Sequence, residues 1–266
     1  MTPLSLIKTQ AFGNDFLLAS RADVADVTDL PALARAICGR HRGFGADGLM
    51  FMEPTTDGAR TRLLNADGST AEVSGNGVRC AAAWLAHERR LPVGSRLMIE
   101  TVAGPKRLEL LEANGLTYTF RAEMGPPTEV REEILDVNGT RVRCVVLRVG
   151  NPQCVVLGPV TEERLRTLAS QLAVHPFFPE GTNVELATVD EPHRVRILIW
   201  ERGVGPTEAS GTGACAAAVA AAFAGGASRS VEVASPGGTQ LVEWTDETLW
   251  LTGWATVVGR GEWWGA

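Results

Sequence analysis

Residues Glu72 to Cys80 read EVSGNGVRC, and Glu208 to Cys215 read EASGTGAC. Each phrase is Glu-x-Ser-Gly-x-Gly, and each runs into an alanine-rich stretch, AAAWLA after the first and AAAVAAA after the second. A Gly-x-Gly at a helix start leaves backbone N–H groups pointing outward and lets a ligand approach the main chain closely. The helix dipole adds partial positive charge, so such an end suits a carboxylate or a phosphate. The preceding serine is placed to touch that ligand, or simply to cap the helix. Two copies facing one carbon have a more specific use. Ser74 and Ser210 would lie on opposite sides of it, one taking a proton and the other delivering one from behind, as a racemase requires. The helix ends would hold a substrate carboxylate and stabilise the charge that develops as the proton leaves.

Other matches lie between the halves at a nearly constant offset, close to half the chain. Phe12-Gly13-Asn14 matches Val149-Gly150-Asn151, Gly45-Ala46-Asp47 matches Gly181-Thr182-Asn183, and Val102-Ala103-Gly104 matches the turn at Ser235 to Gly238. Ordered anchors at one offset indicate a duplicated domain. The coarse pattern agrees. Each half opens with a strand (4–18 and 141–157), continues with a helix (29–38 and 162–172), and reaches the Ser-Gly-x-Gly turn. A helix of small residues follows (78–87 and 214–224), then strand-rich segments. A helix apolar all round is buried. The expectation is therefore an α+β fold of two pseudo-symmetric halves, each a bent mixed sheet wrapped around a central helix. The boundary is placed near residues 123–129, where MGPPTE interrupts the pattern with two prolines.

Length and composition fit this reading. The chain has 266 residues, enough for two domains of ordinary size. No apolar run of about 18 residues or more is present to span a membrane, and the first residues lack the pattern of a signal peptide. The formal net charge of −6 makes no case for nucleic-acid or membrane binding. Five cysteines without CxxC spacing suggest reduced thiols in a cytoplasm. No phosphate loop, dinucleotide fingerprint or metal-ligand cluster is seen, so no cofactor and no metal are expected. Cys80 and Cys215 fall inside helices and should be buried. Cys154 follows a Gly-Asn-Pro turn, from which it has a route toward the predicted cleft.

Longer motifs carry a resemblance. FGNDF at 12–16, RHRGFGADGL at 40–49, NADGSTAEVSGNGVRC at 65–80 and ETVAGPKRLEL at 100–110 are similar to the diaminopimelate epimerase family. So are GNPQCVVLG at 150–158, ERGVGPTEASGTGACAAA at 201–218, SPGGTQLVEW at 235–244 and LTGWATVVGRGE at 251–262. The resemblance covers essentially the whole chain. It implies epimerisation without pyridoxal phosphate at an amino-acid α-carbon, LL- to meso-diaminopimelate, in lysine and cell-wall biosynthesis. It implies two domains of diaminopimelate epimerase-like fold, 1–123 joined by 253–266 and 124–252, with the site between them. Homodimers are common in the family. Two acid/base positions transfer to Ser74 and Ser210. Substrate contacts transfer to Asn14, Asn65, Gly75 and Asn76 in the first half, and to Asn151, Asn183, Glu201, Arg202, Gly211 and Thr212 in the second. Neutral amides suit a zwitterion, Arg202 a carboxylate and Glu201 an ammonium.

The chain departs from the family at the centre. Both acid/base positions are cysteine in the family and serine here. A thiol near 8.5 can be tuned to neutrality, whereas a serine hydroxyl is a far weaker acid. Pro206, Glu208, Gln153 and Trp254 also differ from the usual residues. Glu72 and Glu208, each two positions before a serine, are candidate substitute bases if those segments are extended. Three readings stay open: an amino-acid epimerase working through serines, an isomerase or dehydratase of another amino acid, or a homologue that binds without turnover.

Overall fold

The computed structural model describes residues 3–71, 75–102 and 104–265. Glu72 and Ser74 of the first Ser-Gly-x-Gly phrase, and Ala103 of the third anchor, lie outside the described residues. The chain divides into two compact units, Met1–Ala122 with Gly253–Ala266, and Glu123–Thr252.

The first unit opens with strands β1 (Leu4–Ala11) and β2 (Asn14–Ser20). The single strand expected over 4–18 is thus a hairpin. Phe12 and Gly13 both take positive φ, 55° and 84°, the backbone of a two-residue turn whose twist suits the flanking strands. Helix α1 (Leu30–Cys38) follows, with the Asp29 side chain accepting from Ala32 N–H and a proline in its first turn. β3 (Gly48–Pro54) runs parallel to β2, and β4 (Gly58–Asn65) returns antiparallel to β3. Helix α2 (Gly75–Arg89) is buried along most of its length. β5 (Arg96–Thr101) is parallel to β4, and β6 (Gly104–Asn114) and β7 (Thr117–Gly125) follow as an antiparallel meander.

The second unit repeats the scheme. After Pro126 and Pro127 come β8 (Thr128–Val137), β9 (Thr140–Val149) and β10 (Asn151–Leu157). The strand expected over 141–157 is again folded, here at Gly150 with φ 75°. One helical segment follows, made of α3 (Glu162–Arg164), a π turn at Leu165–Ala169 and α4 (Ser170–Leu172). β11 (Asn183–Glu191) is parallel to β10, and β12 (Arg194–Glu201) is antiparallel to β11, with short β13 (Gly205–Thr207) on its edge. Then come α5 (Gly211–Ala224), β14 (Ser230–Ser235) parallel to β12, β15 (Gly238–Trp244) and β16 (Leu249–Trp263). Residues of β16 from Gly253 onward belong to the first unit, where the strand pairs antiparallel with β1 and closes the ring from β1 to β7.

Strand for strand, the two units share one sequence of parallel and antiparallel pairings. Each central helix is lined by strands on several sides. Alanine makes this feasible, because it has the highest helix propensity and its short side chain lets the sheet curl close. In α5 every residue from Gly213 to Ala221 is buried. Each unit also carries a second helix on the outer sheet face. In the first unit Leu17, Ala19, Leu49 and Phe51 pack with Ala34 and Ile37 of α1. In the second, Cys154, Val156, Val184 and Leu186 pack with Leu165 and Leu172. Strand alternation then turns the odd-numbered residues of β10 and β11 toward α5.

Candidate functional site

Both central helices begin earlier than the composition suggested, at Gly75 and Gly211 rather than Val78 and Ala214. The Gly-x-Gly phrase is the first turn of the helix, not a loop before it. That is physically economical, since first-turn N–H groups lack an intrahelical acceptor in any sequence.

At the start of α5, Ser210 is the capping residue, extended at φ −139° and ψ 129°. Its Oγ accepts from Gly213 N–H at 3.1 Å and lies 3.3 Å from Thr212 Oγ1. The serine is buried, Thr212 is half-buried and Gly211 is buried. Glu208, a candidate substitute base, is exposed.

Polar side chains line the strands beside this helix start. Register places Gln153 of β10 against Asn183 of β11, and Val155 against Glu185. Asn151 Oδ1 accepts from Gln153 Nε2 at 2.6 Å, and Asn183 Oδ1 accepts from Arg202 N–H at 2.8 Å. The Arg202 guanidinium donates to Glu180 O at 2.9 Å. Glu201 and Arg202 are both half-buried. Gln153 and Glu185 are 0% exposed, and among the described residues neither Gln153 Oε1 nor either Glu185 oxygen has a hydrogen-bond partner. Burial pushes the Glu185 carboxyl well above the ordinary range, and the charge of Glu201 adds to the rise. Asn151, Asn183, Glu201, Arg202, Ser210, Gly211 and Thr212 thus all come from one end of the second unit.

In the first unit, Asn14 Nδ2 donates to Asp47 Oδ2 at 2.6 Å, and Asn65 Nδ2 donates to Ser69 Oγ at 2.9 Å. Both asparagines are half-buried. Asn76 is buried in the first turn of α2 and accepts from the buried Arg79. Gly75 is half-buried at the helix start. Asp47 also accepts from Arg40, and Asp15 accepts from both Arg40 and Lys8. Burial raises the Asp15 carboxyl, but the bonds and charges of Arg40 and Lys8 outweigh it and leave it below its ordinary range. Trp254, one of the departures, packs on Phe12 with ring centroids 4.5 Å apart.

Sequence reasoning did not single out Glu185 or the Lys8–Asp15–Arg40–Asp47 network. A carboxylate inside the otherwise apolar run VELATV was the available signal for Glu185, because Glu is almost never fully buried without a partner. Cys154, the cysteine with a route toward the cleft, instead faces the outer core. Its thiol is held high by Cys144 and by burial. Cys80, pushed up to about 12 by burial, and Cys215 are buried as expected.

The family model described as "Diaminopimelate epimerase" matches residues 6–130 and 145–260. The chain belongs to the diaminopimelate epimerase family. A diaminopimelate epimerase of Desulforudis audaxviator is 39% identical, covering 98% of this chain and 99% of its own length. One from Moorella thermoacetica is 38% identical over 97% of this chain and 99% of its own. Among solved structures, a predicted epimerase from Pseudomonas aeruginosa matches at a TM-score of 0.75 with 18% identity, covering both chains completely. A hydroxyproline epimerase from Agrobacterium vitis, solved with bound trans-4-hydroxy-L-proline, matches at 0.72 with 17% identity over 98% of this chain and 92% of its own. At such identities these two likenesses concern the fold. Among the described residues no helix is long and apolar enough to cross a membrane.

Proposed function

We propose that the chain epimerises an amino acid at its α-carbon without a cofactor, with LL-diaminopimelate converted to the meso form as its reaction. The observation that carries this reading is a near-full-length likeness to diaminopimelate epimerases, and the polar side chains gathered at the α5 start support it. In this reading the two units are the family's two domains. The reading also brings a place in lysine and cell-wall biosynthesis, a cytoplasmic location, a small amino acid as the binding partner, and homodimerisation.

Chemically, Ser210 and Ser74 stand at the positions that move the proton. The N–H groups of Gly211 and Thr212 meet the substrate carboxylate, as do those of Gly75 and Asn76 in the first unit, where the helix dipole favours negative charge. Such fixed donors also stabilise the carbanionic transition state. Asn14, Asn65, Asn151 and Asn183 orient the zwitterion through neutral amides, and Glu201 and Arg202 meet its charged groups.

The test is α-proton exchange in D₂O, followed by NMR with LL-diaminopimelate. The unaltered protein should exchange the proton. Ser74→Ala and Ser210→Ala should each lose about a hundredfold or more, the usual worth of a positioned acid or base. Ser74→Cys with Ser210→Cys should exchange faster than the unaltered protein, because thiols ionise much closer to neutral pH. Binding of diaminopimelate without exchange would instead establish a binding-only homologue. Exchange of a different amino acid alone would redirect the substrate.

A further inference from the structure

Glu185 is a buried acid that the reading above leaves without a task. It lies on β11, one alternation beyond Asn183, on the face turned toward α5. A β-carbon added to Gly213 would stand 2.7 Å from Glu185 Oε1 and 3.3 Å from Ser210 Oγ. The glycine therefore leaves room for the tip of Glu185 beside the serine, under the first turn of the helix. Among the described residues neither carboxyl oxygen has a hydrogen-bond partner, and the side chain is wholly buried. An isolated buried carboxylate would be very costly, so the group is held as the neutral acid. A neutral acid with no partner still costs stability, because its lost hydration is not replaced by a hydrogen bond. Such a cost is typical of a functional group rather than a structural one.

We propose that Glu185 is the proton-relay partner of Ser210, supplying and recovering the proton that a hydroxyl is too weak an acid to exchange alone. The proposal rests on the epimerase reading. In the delivering direction the Ser210 Oγ–H bond breaks as its proton passes to the substrate α-carbon. The Glu185 carboxyl, which is not hydrogen-bonded to Ser210 Oγ at rest, turns onto it and passes it the O–H proton in the same event. The products are a protonated α-carbon, a neutral serine and a Glu185 carboxylate. In the abstracting direction each transfer reverses, and Glu185 ends neutral. No free alkoxide forms, and no co-reactant is needed. Among the described residues the titratable groups that interact with Glu185 are Glu201 on β12 and Cys154 on β10. Ser210 and the buried Cys215 lie on α5. The negative charge of Glu201 favours the protonated form of Glu185 and so keeps the relay loaded.

The test is Glu185→Gln, which keeps the shape but cannot release a proton. Exchange of the diaminopimelate α-proton should fall in kcat by about a hundredfold or more while KM stays within about twofold. The alkaline limb of the unaltered protein's pH profile should vanish. A second readout needs no turnover: infrared spectra of the unaltered protein at neutral pH should show a neutral carboxylic-acid carbonyl band. That band should be absent in Glu185→Gln, and its pH midpoint should move in Ser210→Ala. Undiminished exchange with an unchanged pH profile in Glu185→Gln would overturn the relay alone, as would the lack of a neutral band in the unaltered protein. No exchange by the unaltered protein would overturn the epimerase reading and the relay with it. If Glu185→Gln fails to fold, the infrared titrations of the unaltered and Ser210→Ala proteins decide.

Discussion

Across β2 and β3 of the first unit, Leu18 pairs in register with Met50; across β10 and β11 of the second, Val155 pairs in the same way with Glu185. One step nearer the turn, Phe16 pairs with Gly48, where the second unit sets Gln153 against Asn183. The repeats share strand order, pairing directions and a central helix. At these paired positions the first unit has buried apolar side chains or glycine, whereas the second has Gln153 and Glu185, with side-chain oxygens that find no hydrogen-bond partner among the described residues. On the opposite face of the first unit Lys8, Asp15, Arg40 and Asp47 satisfy one another at partial exposure, while Arg79 is buried in its central helix. The comparison teaches that duplication conserves what holds a sheet around a helix. At the pairs beside the helix start the second unit carries polar residues, and an unsatisfied polar group there weakens the fold.

The sharpest way to break this comparison is to exchange the paired residues. Met50→Glu should destabilise by about 3 kcal/mol or more, because Met50 is buried and a carboxylate there would lose its hydration. Denaturant unfolding measures this, and a mild effect would mean that the two faces are not as different as their residues suggest.

The charge network of the first unit should come next. Asp15→Asn should cost about 2 kcal/mol, the scale of losing hydrogen bonds to charged groups. The sign follows from its lowered carboxyl. Its stabilisation is present above the unfolded value and is lost as pH falls through the folded one, so the variant should be less acid-sensitive than the parent. Unfolding curves across the acid range would sink the idea if the two proteins lost stability in parallel.

Gly213→Ala tests the close approach at α5. Helix propensity alone would favour alanine by about 1 kcal/mol. The crowding against Glu185 Oε1 should reverse that sign in the parent, and the gain should return in a Glu185→Ala background. A double-mutant cycle measures the coupling.

Glu185→Met, which copies the first unit, should be more stable than the parent by about 1 kcal/mol at neutral pH, since an unsatisfied polar group is removed. Here the folded carboxyl lies above its unfolded value. The stability it contributes is therefore full below the unfolded value and lost as pH rises toward the folded one. The methionine variant should be flatter over that window, and parallel curves would contradict a neutral Glu185. The smallest effect concerns thiols. All five cysteines are buried, so alkylating reagents should leave activity unchanged in the native protein, and inactivation that tracks labelling of one cysteine would place a thiol in the site.

Much of this was legible in the chain. The doubled Ser-Gly-x-Gly phrase, its position before an alanine-rich helix, and the order of the anchors are local or periodic signals, and such signals depend on few neighbours. The single strands expected over 4–18 and 141–157 break at Phe12-Gly13 and at Gly150, where positive φ reverses the chain. The Gly-Asn-Pro phrase signals the second turn, whereas Phe12-Gly13 sits inside continuous strand composition. Helix starts were set too late because glycine composition argues against helix, while a capped first turn tolerates it. The sequence by itself determined the family, the duplicated order of elements and the residue types at the helix starts, because these reside in contiguous motifs. Only the tertiary structure decided that Ser210 caps its helix while Glu185, on a strand far away in sequence, lies beside it without a hydrogen-bond partner among the described residues. That juxtaposition depends on strand register and on the glycine that opens the space, and neither is written in any one stretch of the chain.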